Sequence, residues 1–227
     1  MKELFSFLAV LEENNNREWF SANKPRYSEV ESQFKDLVEE VQHGLSSIDN
    51  IALNATKIFR IYRDVRFSEN KTPYHLHRSA SFKRATEQLR GGYYLRIQRG
   101  ASAIVGGFFG PESADMLHIR KQIQQEPEAL RAIIASDDIQ NYFGGLSGEQ
   151  VKSAPRGFSK EDPAIDLLKY KQLLLRKDFS DKEVQSADFS SQIIDGFGRM
   201  RPFLDYMSEI LTTDLNGEPL HYPFTNV

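Results

Sequence analysis

The chain has 227 residues, with 29 Lys and Arg, 32 Asp and Glu, and a formal charge of −3. An apolar fraction of 40% that includes 16 Phe, 9 Tyr and 1 Trp excludes a disordered chain. The absence of cysteine excludes a disulfide framework, a thiolate nucleophile, an iron–sulfur cluster and Cys-ligated zinc.

The first 47 residues read as helical. Leu4, Leu8 and Leu11 share one helix face. Asn15 followed by Glu18 has capping-box spacing and predicts a second helix start. Pro25 suits a first helical turn, and Tyr27, Val30, Phe34, Leu37, Val38, Val41 and Leu45 then recur at helical spacing. The run Leu4–Leu11 lacks the positive flank and cleavage site of a signal peptide, so a cytoplasmic location without a membrane segment is expected.

Residues 51–109 change character. Lys57–Tyr62 is β-branched and aromatic and reads as a strand, which could run extended as far as Phe67. Ser79–Lys83, Tyr93–Gln98 and Ala103–Phe109 read as further strands, punctuated by Gly91-Gly92 and Gly100. Short connectors between successive strands predict antiparallel pairing.

The remainder, 111–213, reads as mainly helical. Helices are expected after Pro111 and Pro127, a loop over 141–158, and a helix start at Asp162-Pro163. Tyr170–Lys177 suits either one more strand or an extension of that helix. Ser180 and Glu183 form a capping box, and Phe189, Ile193, Phe197, Met200, Leu204, Met207 and Leu211 keep helical spacing. Pro202 is expected to break or kink that last stretch. Helices, strands, then helices predict an α+β fold: one domain, with an antiparallel sheet of about five strands flanked by N- and C-terminal helices.

Charge is not spread evenly. Lys57–Arg99 holds eleven Lys or Arg against three acids, a local +8, which leaves −11 for the rest. On an extended Ile58–Phe67, one face carries Arg60, Tyr62, Asp64 and Arg66. Guanidinium groups match carboxylate or phosphate as a planar fork, so this pattern points to shaped anion recognition. Arg63 falls on the apolar face. It needs a buried acid, or the strand must end before it.

Three functional readings follow. In the first, a small anionic ligand is held by Arg60, Arg63, Arg66 and Lys71, lined by Tyr74, His77 and Arg156, with Asp64 orienting an arginine. In the second, a hydrolase or transferase uses the same pocket, with His77 as acid–base and Asp64 as its partner. In the third, the arginines are structural ties to acids from the helices. A nucleic-acid surface is disfavoured by the acidic balance and the lack of a binding signature. No cofactor is expected.

His75 and His77 alternate by two and would share one side of a strand. A metal there lacks a clear third ligand, with Asp64, Glu69 and His118 as the candidates. His43, His118 and His221 are isolated and read as structural. Gly106-Gly107 fits no phosphate-binding fingerprint and reads as a strand end packed closely under a helix.

Several segments together resemble a known family. They are Asn14-Asn15-Asn16-Arg17-Glu18-Trp19-Phe20, Phe59–Ser68, Lys71-Thr72-Pro73-Tyr74 and Ala154-Pro155-Arg156-Gly157-Phe158. They are similar to the conserved hypothetical family catalogued as domain of unknown function 2461, over nearly the whole chain. The resemblance implies a stand-alone single domain and brings no reaction or catalytic residue with it. The chain departs from the family at His75, where a lysine is usual. That departure weighs further against a two-histidine metal site.

Overall fold

The computed structural model describes residues 1–220; His221 lies outside them. Three helices open the chain: α1 (Lys2–Glu13), α2 (Arg17–Ala22) and α3 (Lys24–Ser46). Strands β1 (Lys57–Ile58), β2 (Arg78–Lys83), β3 (Gly92–Ile97) and β4 (Ser102–Phe108) follow. Helices α4 (Ser113–Gln125), α5 (Pro127–Ile134), α6 (Asp137–Phe143) and α7 (Ile165–Leu168) come next. Strand β5 (Leu173–Phe179), α8 (Asp181–Val184) and α9 (Phe189–Thr212) complete the described residues. The strands form one antiparallel sheet in the order β1-β2-β3-β4-β5, so the fold class is α+β.

Packing divides the chain into two compact units. One comprises residues 1–83, 93–105 and 177–198. The other comprises residues 84–92, 106–176 and 199–227.

In the first unit, α1 and α2 pack on α3, and α3 packs on β2. The apolar stripes that predicted these helices are their buried faces: Leu4, Leu8 and Leu11 on α1, and Val30, Phe34, Val38, Val41 and Leu45 on α3. Phe82 and Tyr93 point inward against Phe197. The Tyr93 hydroxyl donates to buried Asp49 at 2.6 Å, which satisfies the phenol in the core. Ser180 caps α8 with its full capping box, as its spacing predicted.

In the second unit, α4 packs on α5 and α7, and α5 packs on α6. Arg84, whose side chain is fully buried, pairs with Asp205 and donates to Ser208 and to the Leu204 carbonyl. The His118 Nε2 lies 2.8 Å from the Ile210 carbonyl and 2.9 Å from that of Thr213, where it serves the last turn of α9. Gly106 packs closely under a helix, as the sequence suggested, whereas Gly107 packs against the backbone of β5. A Cβ at Gly106 would meet the Met200 sulfur at 2.4 Å, and one at Gly107 would stand 2.2 Å from the Leu173 carbonyl oxygen.

Three expectations are corrected. The expected strand Lys57–Tyr62 shrinks to β1, and its conditional extension to Phe67 gives way to an isolated Tyr62–Tyr74 bridge and a loop. Side chains of that loop bond its own backbone, which competes with a strand ladder. The predicted loop 141–158 begins later than expected, because α6 takes residues 141–143. Ser136 caps α6 through the Ile139 amide, and Gly144 ends it at φ +74°. Finally, Pro202 does not divide α9. Phe197 and Met200 before it and Phe203, Leu204 and Met207 after it are fully buried. Each such side chain contributes about 1.5–3 kcal/mol, which together outweigh the roughly 3 kcal/mol cost of an interior proline.

Candidate functional site

The site grows out of the two faces of β2 and β3. On β3, Tyr93, Leu95 and Ile97 are buried, and alternation sends Tyr94 and Arg96 to the opposite face. On β2, Arg78 shares the inner side with Ala80 and Phe82. Its guanidinium forks onto Glu31 of α3 at 2.7 and 2.6 Å and donates to the Phe59 carbonyl at 2.6 Å. All three donor nitrogens of Arg78 are therefore engaged, and its side chain is only 2% exposed.

His75 and His77 lie just before β2, with ring centroids 4.8 Å apart. Neither imidazole makes a hydrogen bond with the described residues. Partial burial lowers both pKa values, and the charged groups bearing on them are all cationic. For His75 these are Arg63, Arg78, Arg96 and Arg60. For His77, burial is followed by Arg96, His75 and Arg78, and its pKa falls to about 4. Both rings are therefore neutral at pH 7.

Two of the surrounding guanidinium groups have donors to offer. Arg60 is exposed and makes no hydrogen bond among the described residues. Arg96 reaches the Gln98 side chain through Nη2, while its Nε is buried without a partner. A buried donor left unpaired costs about 1–3 kcal/mol, which an acceptor at this position would recover.

The loop from Arg63 to Pro73 is different. Arg63 Nη1 donates to the Thr72 carbonyl at 2.9 Å and to its hydroxyl at 2.5 Å, and Nη2 reaches Ser68 at 3.3 Å. The second alternative for Arg63 holds: the strand ends before it, and no acid is needed. Asp64 accepts from the Arg66 backbone and side chain, at 2.7 Å from Nη2, and this hydrogen bond holds its carboxyl below the usual range. Lys71 Nζ donates to the Val65 carbonyl at 3.0 Å. Asn70 accepts from the Thr72 amide and hydroxyl.

The predicted site residues therefore scatter. Arg60 stays available beside the imidazole pair. Arg63, Arg66 and Lys71 brace the loop. Tyr74 is buried, with its ring stacked on Phe20 at 4.0 Å. His77 faces His75 and Arg96, whereas Asp64 faces Arg66, and no hydrogen bond joins His77 to Asp64. Arg156 is exposed and belongs to the other unit. Arg96 was missed by the sequence reading. Its signal was present in the alternation of Tyr93, Leu95 and Ile97 with Tyr94 and Arg96.

A model of the conserved hypothetical protein family DUF2461 matches residues 3–206. The chain belongs to this family. No curated protein and no solved structure matches it.

The segments that carry the DUF2461 resemblance have visible structural work. Asn15 accepts from the Tyr74 amide at 3.1 Å and donates to the Tyr74 carbonyl at 3.0 Å, clamping the far side of the loop. Asn16, not Asn15, caps α2 through the Trp19 amide at 2.8 Å. Phe20 then covers the Tyr74 ring. The first helices of this DUF2461 chain thus hold the end of the loop that leads into His75 and His77. In the second unit, the Phe158 amide closes a turn onto the carbonyl of buried Pro155 and leaves Arg156 outside.

Proposed function

We propose that this protein binds a small anionic ligand beside the imidazole pair, with Arg60 and Arg96 as the cationic contacts and His75 and His77 lining the site. One observation carries this reading: among the described residues, exposed Arg60 makes no hydrogen bond and Arg96 keeps a buried Nε without a partner. Arg63, Arg66, Lys71 and Arg78 already have acceptors, so the reading rests on Arg60 and Arg96. Guanidinium forks favour phosphate- or carboxylate-bearing molecules.

The hydrolase or transferase reading has less support, because Asp64 is engaged by Arg66 and His77 has no acidic partner. The structural-tie reading fits Arg78, which pairs with Glu31 of α3; Arg63 is held by Thr72 and Ser68 and exposed Arg66 by Asp64, so neither is tied to a helix acid.

Thermal unfolding in sulfate or phosphate tests the proposal. A ligand at a hundred times its Kd stabilises by about 2.7 kcal/mol, roughly 5–10 °C for a chain of this size. Arg60→Ala should remove that gain while leaving the unliganded Tm within about 1–2 °C, because Arg60 is exposed and unbonded. No stabilisation by any anion, or an equal gain in Arg60→Ala, sinks the reading.

A further inference from the structure

The loop after β1 is tied at its ends and across its middle. The Arg63 amide donates to the Pro73 carbonyl at 2.8 Å, and the His75 amide to the Ile61 carbonyl at 2.8 Å. Arg63 and Lys71 then bond the loop's interior. At its far end the Ser68 amide closes a turn onto the Val65 carbonyl, and Phe67 in that turn is 96% exposed. Lone exposed apolar side chains are ordinary. This one is held out by a loop that its own bonds have already ordered, which lowers the entropy cost of covering it.

Arg66 stands beside the ring, with its guanidinium 5.9 Å from the ring centre and its side chain 77% exposed. Asp64 takes Nε and Nη2 of that guanidinium, and Nη1 has no partner among the described residues. Aromatic and arginine side chains are the types enriched where proteins meet.

The same compact unit carries a cleft of opposite character. It has a volume of about 310 Å³ and is lined from α3, the end of α8 and the start of α9. Leu37, Val184, Ala187 and Phe189 give it an apolar lining, and Asp36 and Glu40 give it acids. The two acids are one turn apart on α3, where like charges repel. Ser190 donates to Glu40 at 2.7 Å, but Asp36 makes no hydrogen bond or ion pair among the described residues. Such a cleft suits a ring flanked by a cation. A second cleft of about 720 Å³ is lined by Lys182 and Glu183, whose charges cancel, so it suits an arginine less well.

Phe67 is exposed, so it does not fill the cleft of its own chain. The excess charge of +8 over Lys57–Arg99 and of −11 elsewhere gives two copies opposite fields to align by. We propose that the partner of this loop is a second copy of the chain: Phe67 of one copy enters the α3 cleft of the next, and Arg66 meets Asp36 and Glu40 there. Reciprocal contacts close a two-fold dimer, and one-way contacts build an open row of copies. Arg60 and Arg96 take no part in this contact, so it is separate from the anion site.

Sedimentation equilibrium of the intact chain at low salt, from about 10 μM to about 1 mM, tests this. The average mass should rise with concentration, to twice the chain mass for reciprocal contacts and beyond it for one-way contacts. Phe67→Ala should weaken association about thirtyfold or more. Its Tm should stay within about 1–2 °C of the parent, because the lost ring is exposed. Asp36→Arg and Arg66→Glu should each weaken association about tenfold or more, and both together in one chain should restore it to within about threefold.

A mass of one chain at every concentration overturns the proposal. So does association that Phe67→Ala leaves unchanged, or a charge-swapped chain that associates no better than the single variants. A chain that stays single but uses Phe67 to bind phosphatidylserine vesicles or a single-stranded oligonucleotide also overturns it, and gives the loop to that partner instead. The anion reading is tested by the gain in Tm with sulfate and stands or falls separately from all of these outcomes.

Discussion

The loop Arg63–Pro73 and the imidazole pair that follows it are both strongly basic, yet their chemistry is opposite. In the loop each cation has found an acceptor within ten residues: Arg63 on Thr72 and Ser68, Arg66 on Asp64, Lys71 on the Val65 carbonyl. Beside the imidazoles, and among the described residues, Arg60 has none and Arg96 keeps a buried Nε unpaired. Basic residues alone therefore do not mark a binding site. What marks it is donors left over after the local acceptors have been used.

Arg78, directly after His77, offers the largest test of the contrast. It is buried and fully engaged by Glu31 and the Phe59 carbonyl. Arg78→Ala leaves Glu31 without its cation, with only the Tyr27 hydroxyl still donating to it, and should cost about 3–5 kcal/mol in denaturant unfolding. Replacing both partners, as Arg78→Met with Glu31→Leu, should recover most of that loss. A cost below about 1 kcal/mol for Arg78→Ala would place Arg78 with the uncommitted cations and break the comparison.

A second test uses pH without any ligand. His77 has a pKa of about 4 in the folded chain against 6.5 for an unperturbed histidine. Between those values the unfolded chain binds the proton that the folded chain refuses. Stability is therefore full above pH 6.5 and is lost as pH falls toward 4. The ring is partly open to solvent, and screening discounts the effect to about 1–2 kcal/mol. His77→Asn should flatten this part of the stability–pH curve. An unchanged curve would show that the rings are not held neutral by their surroundings.

The smallest expected effect lies in the loop. Arg66 and Asp64 are 77% and 46% exposed in their side chains, and such pairs contribute little. Arg66→Ala should leave the denaturant midpoint nearly unchanged and leave sulfate binding within about twofold. A large loss of sulfate affinity would move the anion site onto the loop.

Much of the fold was legible from local pattern. Helical spacing located α1, α3 and α9, the Ser180–Glu183 spacing located α8, and alternation with glycine punctuation located β2, β3 and β4. The failures have separate causes. From Arg63 onward, side chains that look like one face of a strand turn back onto their own backbone, and propensity does not record that competition. α6 escaped notice because seven residues show less than two full turns of apolar repeat. Pro202 misled because one lost hydrogen bond is visible in sequence, whereas burial on either side of it is not.

The candidate site divides in the same way. The sequence by itself determined the α+β class, the family and the concentration of positive charge over Lys57–Arg99. It also supplied Arg60 and His77 as candidates. Only the tertiary structure decided which cations are already engaged. Arg78 meets Glu31 across 47 positions, and Asn15 holds Tyr74 across 59. Hydrogen-bond partners at such separations are chosen by how helices and strands pack, so no local spacing announces them. The same packing brings β3 beside β2 and places Arg96 near His77. The physical reason is that charge is a property of a residue, whereas an unengaged donor is a property of its surroundings.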